Sequence, residues 1–359
     1  MKTLFARGRV LRRLAHRTVR GVMLLVGVLA AVATGPSDAA VNDFDGDGKS
    51  DLTVFRSNWP WTGATSFFVV PSSGANLAAP PNYAGWVATG GGFYKQWGLN
   101  GDKPVVGDYA GLGRADFAVY RPKLGMWFIA YSCGGTFSLQ YGLPEDMPVQ
   151  GDYDGDGKTD ICLYRPSTNW IYVRSSRTLQ TANYRGPTVA FTRVVPLPHF
   201  NPLWRGPYGP TLALYCRDQR GTYIDWRGVG SVGNGSYGAM YAANEDVPVA
   251  GDFTGDRQGD AVCWKRSTGQ WLGPNWEYAR WGLYNDTPIS GDFDGDGKND
   301  PCVWRRDFPW PGYTSFFVKP SSGANLAAAP NPVGWQPVSG GFYKQWGFNT
   351  DLPLGAPAN

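Results

Sequence analysis

The sequence predicts an all-β protein whose repeated units form a β-propeller. With 49 Gly, 28 Pro and 15% aromatic residues among 359, its composition favours short strands joined by tight turns over helices. A nine-residue acidic phrase occurs three times, each time followed by a short apolar run, and a second phrase of the form WGxxxDxPVxGD leads into the next unit. Units of roughly 40 to 65 residues cannot bury both faces of a small sheet alone, which favours radial stacking around an axis.

The first 39 residues differ in kind from the rest of the chain. Seven basic residues precede an apolar stretch at 22–32, and small residues at 37–39 form a cleavage site. This pattern is typical of a secretory signal peptide, because the apolar stretch is too short for a membrane span. We therefore expect a secreted or cell-surface protein with no stable membrane span after signal removal. An uncleaved anchor is the alternative.

The net charge of +4 belongs to that leading segment. Of 33 basic and 29 acidic residues, seven basic and one acidic lie in residues 1–39, which leaves the mature chain near −2. Nucleic-acid binding relies on clustered positive charge, so we expect no nucleic-acid partner. Five cysteines cannot all pair within one chain; those in apolar runs suit buried thiols, although export would also allow a disulfide between neighbouring strands. The sequence indicates no oligomeric state.

The repeats divide residues 40–359 into units of a single domain, which begin near residues 43, 108, 152, 199, 252 and 292. The unit at residue 43 has no closing phrase before it, and the chain stops where the next acidic phrase would begin. We therefore predict about six four-stranded blades in a ring closed by strands from both termini. Seven blades would follow if residues 175–250 contain a further degenerate unit.

The acidic phrase has the spacing of a calcium loop. It reads DFDGDGKSD at 43–51, DYDGDGKTD at 152–160 and DFDGDGKND at 292–300. Carboxylates at positions one, three, five and nine, with the carbonyl of position seven, supply the hard oxygen ligands that Ca²⁺ prefers, and glycine at position six permits a sharp turn. Position twelve, where an EF-hand has its bidentate Glu, is apolar in all three copies, so these loops are not EF-hands. The predicted ligands are the side chains of Asp43, Asp45, Asp47, Asp51, Asp152, Asp154, Asp156, Asp160, Asp292, Asp294, Asp296 and Asp300 and the carbonyls of Lys49, Lys158 and Lys298.

Two further copies of the phrase have lost acidic residues. The fifth unit keeps Asp252, Asp256 and Asp260 but has threonine at position three and arginine at position six, which makes it a weaker, fourth candidate. The second unit has Ala110 and Leu112 at ligand positions, so we expect no metal there. The pattern thus predicts about three calcium sites, with the fifth unit as a weaker fourth, and a structural role that couples metal binding to folding.

The acidic loop, the apolar strand ending in Arg and the closing phrase together resemble the FG-GAP/VCBS-type repeats of bacterial secreted proteins, relatives of the integrin α-chain propeller. The resemblance covers nearly all of 43–355; in the units near 108 and 199 it is carried by the strands and closing phrase only. It implies calcium in the loops and, often, cell adhesion or carbohydrate binding at the propeller face. It does not identify a ligand.

A near-duplicate insertion distinguishes the first and last units. Residues 65–98 closely match 314–347, and the shorter units lack much of this stretch. In a ring these units are neighbours, so we expect the insertions to lie side by side and form a surface rich in aromatic and amide groups, which suit sugars. The alternative is that a recent duplication left two similar loops that pack on each other. The candidate ligand contacts are Trp86, Trp335, Asn76 and Asn325.

No catalytic residues are assigned from the sequence. It has neither a GxSxG nor an HExxH motif, and the mature chain has a single histidine, His199. We therefore favour a non-catalytic binding module, adhesin-like or lectin-like, for surface carbohydrate or an extracellular protein. The alternatives are a carbohydrate-active hydrolase or lyase that uses an Asp pair, and a structural component of the envelope or matrix.

Overall fold

In a computed structural model, the described part of the chain is all-β. The structure describes residues 42–79, 85–185, 191–196, 211–218, 221–228, 236–242, 246–256, 259–273, 276–328 and 334–355. The expected signal peptide, residues 1–39, lies outside these ranges, as does His199.

The strands are short and follow one another along the chain, with one 3-10 helix at Pro122–Leu124. The first twelve are β1 (Leu52–Ser57), β2 (Ala64–Val70), β3 (Trp86–Thr89), β4 (Gly92–Leu99), β5 (Lys103–Pro104), β6 (Phe117–Arg121), β7 (Met126–Ala130), β8 (Thr136–Gln140), β9 (Met147–Pro148), β10 (Ile161–Arg165), β11 (Trp170–Arg174) and β12 (Thr181–Arg185). The others are β13 (Phe191–Pro196), β14 (Thr211–Asp218), β15 (Gly221–Gly228), β16 (Ser236–Ala242), β17 (Val247–Gly251), β18 (Asp260–Lys265), β19 (Gln270–Leu272), β20 (Glu277–Arg280), β21 (Thr287–Gly291), β22 (Asp300–Arg306), β23 (Tyr313–Val318), β24 (Gln336–Val338), β25 (Gly341–Phe348) and β26 (Leu352–Pro353).

These strands form antiparallel sheets in a β-propeller arrangement, as the repeats predict. Four sheets have four strands each, in the orders β5 to β8, β12 to β9, β13 to β16 and β17 to β20. The sheets of the first and last units have five strands, in the orders β26-β1-β2-β4-β3 and β21-β22-β23-β25-β24. The prediction of four strands therefore fails for these two sheets, because the duplicated insertions add the outer strands β3 and β24.

The closing phrase contributes to the sheet that follows it. Strand β5 at its end pairs with β6 through Lys103 opposite Tyr120 and Pro104 opposite Val119. The last closing phrase provides β26, which pairs with β1 through Val54 opposite Pro353. Strands near the two ends of the described chain therefore share one sheet, as the complementary ends of the sequence predict.

The apolar core lies between neighbouring sheets. Successive side chains of a strand point to opposite faces of the sheet. Val54 of β1 accordingly packs in a cluster with Trp304 of the last sheet, whereas the adjacent Phe55 packs in a cluster with Phe117 of the second unit's sheet. Burial of apolar surface on both faces of each sheet therefore stabilises the stack of sheets rather than any one sheet alone.

Three cysteines belong to this core. Cys162, Cys263 and Cys302 are buried, and Cys133 is exposed. All four thiols are free, so the part of the chain with described side chains contains no disulfide. The buried cysteines act as small apolar residues.

Candidate metal centres and binding surface

Each acidic loop precedes the second strand of its sheet, and hydrogen bonds link neighbouring loops around the propeller. In four of these loops the backbone amide at position eight donates to the carbonyl oxygen of position one in the preceding loop. The pairs are Ala115 to Asp43 (2.6 Å), Thr159 to Asp108 (2.8 Å), Asn299 to Asp252 (2.5 Å) and Ser50 to Asp292 (2.6 Å). The last pair joins the loops of the sixth and first units, so these two loops are neighbours.

Each acidic loop folds around its first carboxylate. In the first loop, Asp43 accepts hydrogen bonds from the amides of Gly46 (2.6 Å) and Gly48 (2.8 Å). These glycines have φ of 80° and 87°, a backbone conformation that residues with a Cβ resist. At the other end of the loop, Asp51 accepts from the amides of Phe44 (2.8 Å) and Ser72 (2.6 Å). Positions one and nine are thus the hydrogen-bonding frame of the loop, and the third and sixth loops repeat it.

The second loop keeps this frame without the other acids. Asp108 accepts from the amides of Gly111 (2.6 Å) and Gly113 (2.7 Å), and Asp116 accepts from those of Ala110 (2.9 Å) and Ser132 (2.6 Å). Position three is alanine here and position five is leucine. Acidic residues at positions three and five are therefore not required to form the turn.

In the other three loops, the acid at position three joins the acids of the frame. One carboxylate oxygen from each of positions one, three and nine lies within 4.8 Å of the others. The three clusters are Asp43, Asp45 and Asp51; Asp152, Asp154 and Asp160; and Asp292, Asp294 and Asp300. Three of the four predicted carboxylate ligands of each loop are thus brought together.

The position-five carboxylates Asp47, Asp156 and Asp296 are not members of these clusters. In the first loop, Asp47 accepts from the amide of Lys49 (2.8 Å) and from the hydroxyl of Ser72 (2.8 Å). Its role as a ligand, and that of the carbonyls of Lys49, Lys158 and Lys298, stays a prediction.

Burial makes the clustered carboxyls difficult to ionise. Burial, together with the nearby Asp45 and Asp47 charges, raises the pKa of Asp43 to about 7. Burial is likewise the main cause that raises the pKa of Asp160 to about 7 and those of Asp152 and Asp292 to about 6. Several ionised carboxylates so close together repel one another, and a cation among them removes that repulsion. The oxygen-only donor set fits a hard divalent cation such as Ca²⁺.

The described residues of the fifth loop form part of the same frame. Asp252 accepts from the amide of Gly255 (2.6 Å), and Asp260 accepts from that of Phe253 (2.8 Å). Burial raises the pKa of Asp260. Among the side chains that the structure describes, Asp252, Asp256 and Asp260 do not form a three-acid cluster. Calcium binding at this loop remains the weaker prediction.

Serines that follow β2 and β23 bind the acids at position three of the loops. These serines were not identified from the sequence. The Ser73 hydroxyl donates to Asp45 (2.5 Å), and that of Ser322 donates to Asp294 (2.7 Å). In the third unit, Arg177 occupies the position equivalent to Ser73, with its guanidinium 3.8 Å from Asp154, and the Ser175 hydroxyl donates to Asp154. The repeated PSSG segment at 71–74 and 320–323 was the signal that could have indicated these contacts.

At the opposite end of the strands, a recurring arginine pairs with the aspartate of the closing phrase. Arg56 makes two bonds of 2.8 Å to Asp351, and its guanidinium lies 3.9 Å from the ring centre of Phe68. The same arrangement recurs for Arg121 with Asp102, Arg165 with Asp146 and Arg305 with Asp286. Because it recurs in four sheets, this pair stabilises the propeller and is not a unique active-site feature.

The tryptophans of the two insertions pack inward. Trp335 is 8% exposed and lies in the cluster between the last and first sheets. Trp86 packs edge-on against Phe117 of the next sheet, with ring centres 5.0 Å apart. Each insertion thus covers the junction between its own sheet and the next one. Asn76 and Asn325 are exposed and accept bonds from backbone amides of their own turns, at 3.0 and 3.1 Å. Ligand contact by these four residues stays a prediction.

Comparison of the chain with protein-family models finds no matching family, and comparison with curated proteins finds no relative that matches. The resemblance to FG-GAP/VCBS-type repeats therefore stays a prediction. None of the helices in the described ranges has the length and apolar character needed to cross a membrane.

Proposed function

We propose that this protein is a secreted, calcium-stabilised β-propeller of six blades that acts as a non-catalytic binding module for a surface glycan or an extracellular protein. The observation that carries the proposal is the threefold recurrence of an aspartate cluster in loops that are bonded to one another. The second loop, which folds in the same way without the cluster, supports a separate role for the acids at position three.

Six blades are supported by the sheets and by the bonds between loops. The strands pair in six sheets, in chain order. The amide of Ser50 and the carbonyl of Asp292 then link the sixth acidic loop to the first. A seventh unit within 175–250 is not needed to account for the sheets formed by the described strands of that range.

Calcium is the cation that fits this setting best. The carboxylates at positions one, three and nine would hold it, with the position-five carboxylate and the position-seven carbonyl as further oxygen donors. The bound ion would supply positive charge and favour ionisation of carboxyls whose pKa is raised in its absence. Because position nine leads directly into the second strand of each sheet, the ion would stabilise the start of that strand and couple metal binding to folding.

The burial and backbone hydrogen bonds of the clustered acids favour binding over catalysis. Asp43 and Asp51 already accept two backbone hydrogen bonds each and are buried, which suits a structural site more than a general acid or base that must reach a substrate. Secretion would place the loops where calcium is abundant, so that weak sites would stay filled.

A glycan array tests the proposal. Residues 40–359 should be applied in millimolar calcium and again with a chelator, and the unfolding temperature recorded in both buffers. We expect calcium-dependent glycan binding and a lower unfolding temperature on chelation. Polysaccharide turnover would instead identify a hydrolase or lyase, and retention by the producing cell's envelope without any ligand would identify a structural component.

A further inference from the structure

A group of exposed aromatic side chains lies at the end of the propeller opposite the acidic loops. Each acidic loop precedes the second strand of its sheet, and the hairpin that follows this strand lies at the strand's far end. Two such hairpins, 58–63 and 307–312, together with the first residue of β23 and the last residue of β25, carry the group. We call it the aromatic seam; its members and their exposed fractions are Trp59 (41%), Trp61 (59%), Trp310 (68%), Tyr313 (40%) and Phe348 (40%).

The aromatic seam crosses the junction between the last and first sheets. In the last sheet, the rings of Tyr313 and Phe348 have centres 5.2 Å apart. The guanidinium of Arg56, in the first sheet, lies 4.5 Å from the Phe348 ring and 5.9 Å from that of Trp59. Tyr313, Phe348, Arg56 and Trp59 therefore bring side chains of the two sheets together at this junction. Trp61 and Trp310 occupy equivalent positions in the two duplicated hairpins.

Both hairpins are fixed by hydrogen bonds. Asn58 accepts from the amide of Gly63 (3.0 Å) and from the side chain of Asn100 (2.5 Å). Asp307 accepts in the same way from Gly312 (2.8 Å) and Asn349 (2.6 Å). Tryptophans on such turns lose little conformational freedom when a ligand binds.

The chemistry of the aromatic seam suits a neutral sugar chain. Aromatic faces stack on the C–H faces of sugars, while amide and hydroxyl groups exchange hydrogen bonds with sugar hydroxyls. The Arg56 charge is balanced by the bidentate pair with Asp351, so it does not favour an anionic headgroup or an acidic peptide. At the position of Phe348, the closing turns of three other units have a leucine instead, namely Leu99, Leu143 and Leu283.

We propose that the aromatic seam binds a neutral oligosaccharide, with Trp61 and Trp310 of the two hairpins and Phe348 at the end of β25 as the stacking groups. This inference rests on the proposed function and specifies its ligand class and surface. It places the stacking groups at the end of the propeller away from the predicted contacts Trp86 and Trp335.

The test compares three variants of the calcium-loaded protein. The double variant Trp61→Ala with Trp310→Ala removes the two most exposed rings, and Phe348→Leu restores the side chain of the other closing turns. Leu143→Ala is the matched control, because Leu143 is 45% exposed in an equivalent turn of another unit. Unfolding temperatures establish that all three fold. Calorimetric titration then uses the neutral oligosaccharide that the wild-type chain binds most tightly on the array.

We expect the double variant to lose at least about tenfold in affinity, Phe348→Leu to lose less, and Leu143→Ala to bind like the wild type. Unchanged glycan binding by the folded double variant would overturn the proposal that the aromatic seam binds the glycan. The proposal that the protein is a binding module would stand. If the wild type bound no glycan, the glycan form of the proposed function would fail together with this inference. A third outcome would also overturn the proposal. If the wild type bound phosphatidylcholine vesicles but no glycan, and both the double variant and Leu143→Ala lost vesicle binding, this face would be assigned to an apolar partner.

Discussion

Replacement of Asp45 by alanine distinguishes a cation ligand from a residue that only shapes its loop. Asp45 lies in the first cluster but outside the frame made by positions one and nine. It accepts hydrogen bonds from the amide and hydroxyl of Ser73 and from the amide of Asp47, and all three bonds are exposed. The second loop, with Ala110 at this position, shows that alanine is compatible with the turn. The variant therefore removes a proposed ligand and keeps the hydrogen bonds to positions one and nine that form the frame.

The expected effect depends on calcium. At a calcium concentration 100 times the dissociation constant, one site contributes about 2.7 kcal/mol to stability, and the variant loses this contribution. For a chain of this size the loss lowers the unfolding temperature by on the order of 5 °C. In chelator we expect a change within about 0.5 kcal/mol, since exposed hydrogen bonds contribute little. Loss of the Asp45 charge should also ease ionisation of Asp43 and Asp51, because that charge helps to raise both pKa values.

Thermal unfolding of the wild type, Asp45→Ala and a control, Ala110→Ser, is measured in calcium and in chelator. The control alters position three of the loop without a cluster, so its stability difference from the wild type should be the same in both buffers. A decrease for Asp45→Ala that is equally large with and without calcium would refute the reasoning, because the acid would then stabilise the loop by itself.

Three further predictions follow from the contacts and charges. Burial raises the pKa of Asp43 from 3.8 to about 7, so between these pH values the folded state without metal binds more protons than the unfolded state. Thermal scans of the chelated protein should therefore show stability falling as the pH rises from 4 to 7. Calcium should make stability depend less on pH over this range. Asp351→Ala leaves the Arg56 guanidinium without its partner at the β1–β26 junction, and urea unfolding should show that the free energy of unfolding falls by about 3 to 5 kcal/mol. The double variant Asp351→Ala with Arg56→Met should regain part of that stability, because it no longer contains the unpaired charge. Arg177→Ser removes a cation 3.8 Å from Asp154, so it should tighten calcium binding in a chain whose other two loops are disabled at position three; unchanged affinity in calorimetry would contradict this role.

Much of the fold could be predicted because its signals are local. The acidic phrase fixes a turn through Gly46 and Gly48, and the apolar run after it becomes a buried strand. Local signals do not predict that β5 belongs to the sheet that contains β6. A two-residue strand has no periodicity of its own, and its partner is chosen by packing between sheets.

In the candidate metal centres, likewise, contacts within one turn can be predicted from the sequence, whereas contacts that depend on strand pairing cannot. The acids at positions one, three and nine converge as the spacing predicts, since they belong to one turn. Asp47 instead bonds Ser72, which lies 25 residues further on and reaches the loop only when β1 and β2 pair. That contact depends on the sheet and has no counterpart in the spacing of the acids.

The aromatic residues were the most difficult to place. Trp86 in a polar insertion suggests an exposed ring, but a large apolar side chain is stabilised by burial, and the junction with Phe117 provides it. Trp61 lies in the hairpin between β1 and β2, and its side chain is 59% exposed. Which tryptophan is exposed is thus decided by the sheet junctions and not by local composition.

The most direct test of the account is a count of the calcium ions that the chain binds. Residues 40–359 should be freed of metal with a chelator, dialysed and titrated with calcium in a calorimeter, with circular dichroism to follow the fold. The account predicts about three ions per chain, one for each cluster, together with a rise in unfolding temperature. A folded protein that takes up no calcium at millimolar concentration would contradict it.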